Sequence, residues 1–218
     1  MDLNRFKDQE FILVEGNTKD FETIYADMLG QFHADELCPY DWFVDLIKNK
    51  KYKLLLYKQK EGQEIVGYAL MYPAKQANVV WLDYLAILPE YHSCGFGSRI
   101  FRDIGAFYCG PYDGVILCAE RIDPEDPVLA KQQMRRLAFY ERLGVRTLHA
   151  DFCWPCQNEG AVPMHLLFWP RADVTALSAQ KQKKAVEEIF SEVLAYLPHC
   201  QRLLCEMEPS MQDEAFTK

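Results

Sequence analysis

The chain has 218 residues, half of them apolar, and a formal net charge of −8. That length suits one domain with or without an extension, and the acidic balance argues against nucleic acid as the main partner and favours cationic ligands. No apolar run is long enough to span a bilayer, and MDLNRFKDQEF lacks the apolar core of a secretion signal, so the sequence reads as cytoplasmic with no membrane partner.

In chain order, residues 11–14 predict a short strand. Asn17 offers an N-cap with Asp20 in the first turn, and Phe21, Ile24, Tyr25, Met28 and Leu29 follow at helical spacing as a buried face. Pro39 is placed to open a second helix with a stripe of Trp42, Phe43, Leu46 and Ile47. Between these helices, His33, Asp35 and Glu36 read as solvated loop residues. Residues 52–57 and 65–72 predict two strands joined near Glu61-Gly62, and a polar turn at Gln76 and Asn78 leads into a third over residues 79–88. These three suit an antiparallel meander.

Pro89 ends the third strand, because proline cannot donate to a sheet ladder. His92-Ser93-Cys94-Gly95-Phe96-Gly97-Ser98 then turns into a helix with an apolar stripe of Ile100, Phe101, Ile104 and Phe107. Asp113-Gly114 turns into a strand over residues 115–119, ending at Glu120, so the return through the helix is a parallel crossover. Residues 121–127 hold two Asp-Pro pairs and predict a loop. A helix over residues 129–143 is stopped by Gly144. Residues 147–152 and 164–169 predict a hairpin with a long loop.

Beyond residue 172 the sequence predicts a helical extension, so the chain divides into 1–172 and 173–218. Ser178 caps a helix with Val186, Ile189, Phe190, Val193, Leu194 and Leu197 on one stripe, and Pro198 interrupts it. The extension is expected to pack on its own domain, with a homodimer contact as the alternative. Residues 209–218 read as a frayed tail.

The stretch with the clearest chemistry runs from residue 81 to residue 107. A helix start leaves backbone N–H groups unpaired and concentrates partial positive charge there. Gly95 and Gly97 have no Cβ, so an anionic phosphate can approach the backbone closely. An ordinary strand-to-helix turn would carry the same Gly-x-Gly spacing. The eight cysteines form no regular framework: Cys94, Cys109 and Cys118 suit reduced thiols in globular segments. Cys153-Trp154-Pro155-Cys156 is a C-x-x-C, but it follows a strand and has no second pair to complete a tetrahedral set, so it reads as part of the hairpin loop and no metal is expected.

Ala86-Ile87-Leu88-Pro89-Glu90-Tyr91, followed by His92-x-x-Gly95-x-Gly97, resembles the acetyl-coenzyme A signature of the GNAT superfamily of N-acetyltransferases. A second landmark, Phe139-Tyr140-Glu141-Arg142-Leu143-Gly144-Val145, resembles that family's Tyr-Glu-Lys/Arg-Leu-Gly-Phe, in the right order. The element order also matches the GNAT fold, an α/β (α+β) architecture with a central, mixed, mostly antiparallel sheet flanked by helices. His92 departs from the usual Gln or Arg, which implies weaker or pH-dependent coenzyme binding.

The resemblance implies direct acetyl transfer from acetyl-CoA to an amine acceptor, with no acyl-enzyme. It implies that Leu85, Ala86 and Ile87 hold the pantetheine arm by sheet-like pairing, and that amides of Ser93, Cys94, Gly95, Phe96, Gly97 and Ser98 cradle the diphosphate beside His92. Tyr140 takes the place of the tyrosine that faces the coenzyme sulfur, and Gln133 that of an asparagine that contacts coenzyme. Trp81 occupies the position where many relatives carry a catalytic Glu. Asp83, on the same strand face by alternation, is the expected amine binder or general base, with Glu120 or water as reserves. The first two helices and residues 31–40 would wall the acceptor site, and a small-molecule amine is expected because no peptide-binding motif is evident. The alternatives are a non-catalytic acyl-CoA-binding or regulatory domain and a thiol protein centred on Cys153 and Cys156.

Overall fold

A computed structural model describes residues 6, 9–108, 110–157 and 160–216. Its strands are β1 (Phe11–Glu15), β2 (Lys53–Gln59), β3 (Ile65–Ala74), β4 (Val79–Ile87), β5 (Gly114–Glu120), β6 (Arg146–Thr147), β7 (Cys153–Pro155), β8 (Ala161–Pro170), β9 (Ala176–Leu177) and β10 (Glu214–Ala215). The helices are α1 (Thr18–Gln31), α2 (Tyr40–Lys48), α3 (Phe96–Tyr108), α4 (Pro127–Arg142), α5 (Ala179–Glu192) and α6 (Cys200–Met207). Hydrogen-bonded neighbours in the main sheet follow the order β1-β2-β3-β4-β5-β8-β6, with β7 also on β8. The β4–β5 pair is parallel, while β1–β2, β2–β3, β5–β8, β6–β8 and β7–β8 are antiparallel. This is the mixed, mostly antiparallel sheet flanked by helices that the element order predicts. No helix among the described residues is long and apolar enough to cross a membrane.

The chain forms two compact units, Met1–Tyr72 with Leu82–Phe107, and Pro73–Trp81 with Tyr108–Lys218. In the first, Asn17 caps α1 through a reciprocal capping box with Asp20. Phe21, Ile24 and Met28 form its buried stripe. Leu29, expected in that stripe, is 54% exposed, because it lies one residue past Met28 and so about 100° around the helix. On α3, Ile100, Phe101 and Ile104 are fully buried, but Phe107 is 61% exposed, in the last turn beyond the packed part of the helix. Phe96 opens α3 inside an aromatic cluster, 4.7 Å from the Phe11 ring and 5.9 Å from Tyr91. It anchors the start of α3 to β1 and to the turn before it.

In the second unit, Asp126 caps α4 through the amides of Val128 and Leu129, so the helix begins at Pro127, two residues earlier than the apolar pattern suggests. Gly144 adopts φ +85° and ends the turn after α4, as expected. The strand predicted over residues 147–152 is interrupted. Leu148 N–H still reaches Leu166 O, and Phe152 O still accepts from Met164 N–H. Between them, His149 N–H donates to the Glu214 carboxylate (2.6 Å) and Asp151 N–H to Ser210 Oγ (2.8 Å). Side chains from the C-terminal segment therefore replace the ladder.

That segment is not frayed over its described residues. Glu214 and Ala215 of β10 pair with β9. The fully buried Val186 and Ile189 on α5 lie in the core of this unit, Glu188 accepts a hydrogen bond from the Ala77 amide (2.9 Å), and Lys181 pairs with Asp113. Cys109 lies outside the described residues, as does the side chain of Asp35.

Candidate active site

In the first unit, the turn after β4 is built on two left-handed residues, Ser93 (φ 63°) and Gly95 (φ 80°). A Cβ on Gly95 would meet open space, so glycine serves there for backbone conformation rather than for clearance. The Arg99 amide reaches back to Gly95 O (3.3 Å), which leaves the amides of Phe96, Gly97 and Ser98 without a helical acceptor. A cavity of about 390 Å³ opens here, lined by Gln31, Leu85–Ile87, Tyr91, His92, Ser93, Gly95, Phe96 and Gly97. Unpaired amides at a helix start, facing open space without a Cβ, fit an anionic diphosphate.

Eight of the residues expected to hold coenzyme thus line one cavity: Leu85, Ala86, Ile87, His92, Ser93, Gly95, Phe96 and Gly97. Phe96 is 1% exposed, so it has only backbone to offer. Cys94 and Ser98 do not line the cavity, and the Cys94 thiol turns back on the His92 carbonyl (3.5 Å). His92 Nε2 lies 2.6 Å from the Ile87 carbonyl.

Asp83, also in the first unit, is half-buried on β4 and accepts a hydrogen bond from the Tyr52 hydroxyl. Tyr52 is buried, and desolvation followed by the Asp83 charge holds its phenol well above the ordinary tyrosine range. Tyr84 is buried, and its hydroxyl donates to Glu36 O (2.5 Å). The aromatic rings of Phe32 and Phe43 pack on Tyr84 at 5.1 and 5.5 Å. Residues 31–40 are thereby tied to β4.

In the second unit, Tyr140 is half-buried on the last turn of α4 and lines a cavity of about 330 Å³ with Leu137, Arg146, His165 and Leu167. Burial pushes its phenol up to about 12; Arg136 pulls it down, while Cys118 and Glu120 raise it. Glu120 is ion-paired with Arg136. Gln133 is 5% exposed, and its side-chain oxygen accepts from the Asp123 amide (2.7 Å), fixing the turn before α4. Trp81 is fully buried beside Phe152 and Trp154, with no partner for its indole N–H.

Cys153 and Cys156 lie at the β7 end of its hairpin with β8, and neither is disulfide-bonded. Burial raises the Cys153 thiol, the opposite of what a thiol nucleophile needs. No group of three or more His, Cys, Asp or Glu side chains that could hold a metal occurs among the described residues. Sequence reasoning missed Tyr52 as a site residue, and it placed Gln31 only in the acceptor-side loop and not beside the β4–α3 turn. Tyr52 carries no motif, and its contact with Asp83 appears only where the chain entering β2 brings the two together.

The sequence profile of the Acetyltransferase (GNAT) family matches residues 18–104. No curated protein matches the chain by sequence. Among solved structures, a protein from Bacteroides thetaiotaomicron assigned to the GNAT family as an acetyltransferase superposes with a TM-score of 0.66 at 16% identity, covering 84% of this chain and 97% of its own. A variant of the spermidine N-acetyltransferase SpeG from Vibrio cholerae gives a TM-score of 0.53 at 11% identity, covering 73% and 93% of the two chains. NAA60 from Arabidopsis thaliana, solved in complex with acetyl-CoA, gives 0.53 at 13% identity, covering 74% and 98%. At these identities the structures speak to the fold, and the profile match supplies the family link. Residues 18–104 are therefore similar in sequence to the GNAT acetyltransferase family, and the chain shares the fold of these acetyltransferase structures.

Proposed function

We propose that the protein is an acetyl-CoA-dependent N-acetyltransferase that transfers the acetyl group directly to the amine of a small molecule. The observation that carries this reading is the cavity at the β4–α3 turn, where the unpaired amides of Phe96 and Gly97 and the left-handed Gly95 offer a seat for a diphosphate. The Vibrio cholerae relative, a spermidine N-acetyltransferase, and the acidic net charge both favour a cationic amine.

In this reading Asp83 binds the acceptor ammonium and takes up its proton, directly or through water. Tyr140 faces the leaving sulfur. A thiol ordinarily titrates near ~8.5, so a phenol at about 12 does not surrender its proton to the thiolate at equilibrium. It stabilises the developing thiolate instead, as a neutral O–H donor to a charged acceptor. Glu120 is held by Arg136, and we assign it to orienting that arginine beside Tyr140 rather than to proton removal. Gln133 is assigned to its turn rather than to coenzyme. Trp81, standing where relatives have an acid, is the specific observation that favours a non-catalytic acyl-CoA-binding domain as the second reading.

Calorimetric titration of acetyl-CoA into the protein and into Gly97→Trp tests the donor site. Micromolar-range binding lost in Gly97→Trp supports it, and absence of binding to the unmodified protein sinks it. A screen of primary amines, with release of free coenzyme thiol as the readout, then separates the two readings. Turnover with any amine removes the non-catalytic one.

A further inference from the structure

The carbonyl of Ile87, the last residue of β4, receives two side-chain donors. Gln31 Nε2 lies 3.0 Å away and His92 Nε2 lies 2.6 Å away. A backbone carbonyl has two lone pairs, so this oxygen is filled. The orientation of both side chains follows from chemistry. The other partner of Gln31 Nε2 is the Asp27 carboxylate (2.8 Å), a pure acceptor like the carbonyl, so the amide nitrogen must face both. By the same reasoning the neutral His92 ring carries its proton on Nε2. Asp27 is itself held by the Tyr68 hydroxyl (2.9 Å), from the buried face of β3. A chain of hydrogen bonds therefore runs from Tyr68 through Asp27 and Gln31 to Ile87 O and His92. It joins β3, the C-terminus of α1, the end of β4 and the glycine turn.

We propose that Gln31 and His92 clamp the Ile87 carbonyl and are positioning residues for the acyl donor. The clamp withdraws Ile87 O from pairing with the pantetheine arm, whose sheet-like contacts fall to Leu85 and Ala86. His92 acts here as a donor within the turn rather than as a contact to the diphosphate. Because Gln31 also begins the segment 31–40, the same bond ties the donor strand to the acceptor-side loop. The proposal rests on the reading of this cavity as the acyl-donor site.

The test is acetyl-CoA affinity, measured by calorimetry on the full chain, with thermal unfolding of every variant alongside. Gln31→Leu and His92→Leu each remove one donor and are expected to weaken binding about five- to tenfold, the worth of one hydrogen bond. His92→Gln restores a side-chain N–H and is expected to bind within about twofold of the parent, which loss of fold stability alone would not produce. Folded Gln31→Leu or His92→Leu binding as the parent does would overturn the clamp. So would a crystal structure of the complex with a pantetheine amide bonded to Ile87 O. If Gln31→Leu does not fold, the exposed His92 carries the test. If the unmodified protein binds no acetyl-CoA, the donor-site reading and the positioning role fall together. If it binds and only the variants are unaffected, the clamp alone is wrong.

Discussion

At the scale of single residues, two proton-handling groups carry opposite burdens. Tyr140 is held at about 12 by burial, so it stays protonated until well above pH 10. The sign is that of a raised acid: its donor form is present at all lower pH and is lost only as pH climbs through about 12. We therefore expect Tyr140→Phe to lower kcat about 10- to 100-fold, the worth of a charged hydrogen bond, and to leave acetyl-CoA affinity nearly unchanged. The alkaline limb of kcat below pH ~10 should be the same in both proteins, because Tyr140 does not titrate there. A limb that disappears in Tyr140→Phe would contradict this. Asp83 depends on Tyr52. The phenol donates to the carboxylate and favours its charged form, so removing the hydroxyl makes Asp83 easier to protonate. Tyr52→Phe should move the acidic limb of kcat/KM to higher pH. Asp83→Asn should abolish that limb and cost about 100-fold or more. An unchanged profile in Asp83→Asn would remove Asp83 from the mechanism altogether.

Elements were legible in the sequence where the cause was local. Asn17 with Asp20, Pro39 before α2, Gly144 after α4 and the unbroken apolar run of β4 each announce themselves within a few residues. The cavity-lining segment from Leu85 to Gly97 was readable for the same reason, since strand, turn and helix are contiguous. What could not be read depends on distant partners. The interruption at His149 and Asp151 is made by Glu214 and Ser210, 65 and 59 residues away. Tyr52 meets Asp83 across 31 residues, and Gln31 meets Ile87 across 56. Gly67 is a further case, read in sequence only as a strand residue. A Cβ there would lie 2.6 Å from the Ala86 carbonyl and 2.7 Å from Ile87 Cδ1, so β3 supports the end of β4 at a distance only glycine allows. Gly67→Ala should destabilise the fold by about 1–3 kcal/mol, the usual cost of overpacking, and weaken acetyl-CoA binding by displacing Ala86 and Ile87. Denaturant unfolding and calorimetry check the two effects separately. Full affinity in a destabilised Gly67→Ala would mean that the strand end does not position the donor.

At the scale of the whole chain, residues 173–216 behave as part of the second unit's core rather than as an appendage. Ala185, Val186, Ile189 and Val193 are fully buried, and Glu188, 6% exposed, is a buried carboxylate whose oxygen holds the Ala77 amide at the turn between β3 and β4. A buried amide left without an acceptor costs about 1–3 kcal/mol, which is a large share of a typical domain's stability. Glu188→Leu would remove the acceptor while keeping the site apolar, so it should lower unfolding stability by that amount. Glu188→Gln keeps a carbonyl oxygen for the amide and should recover most of the loss. Deletion of the whole segment removes an apolar stripe from the core as well as these hydrogen bonds, so the truncated chain should fail to give soluble, cooperatively unfolding protein. The comparison matters because an extension that only mediated dimer formation would give the opposite pattern. Truncation would then yield a folded monomer by sedimentation, and Glu188→Leu would melt at the same temperature as the parent.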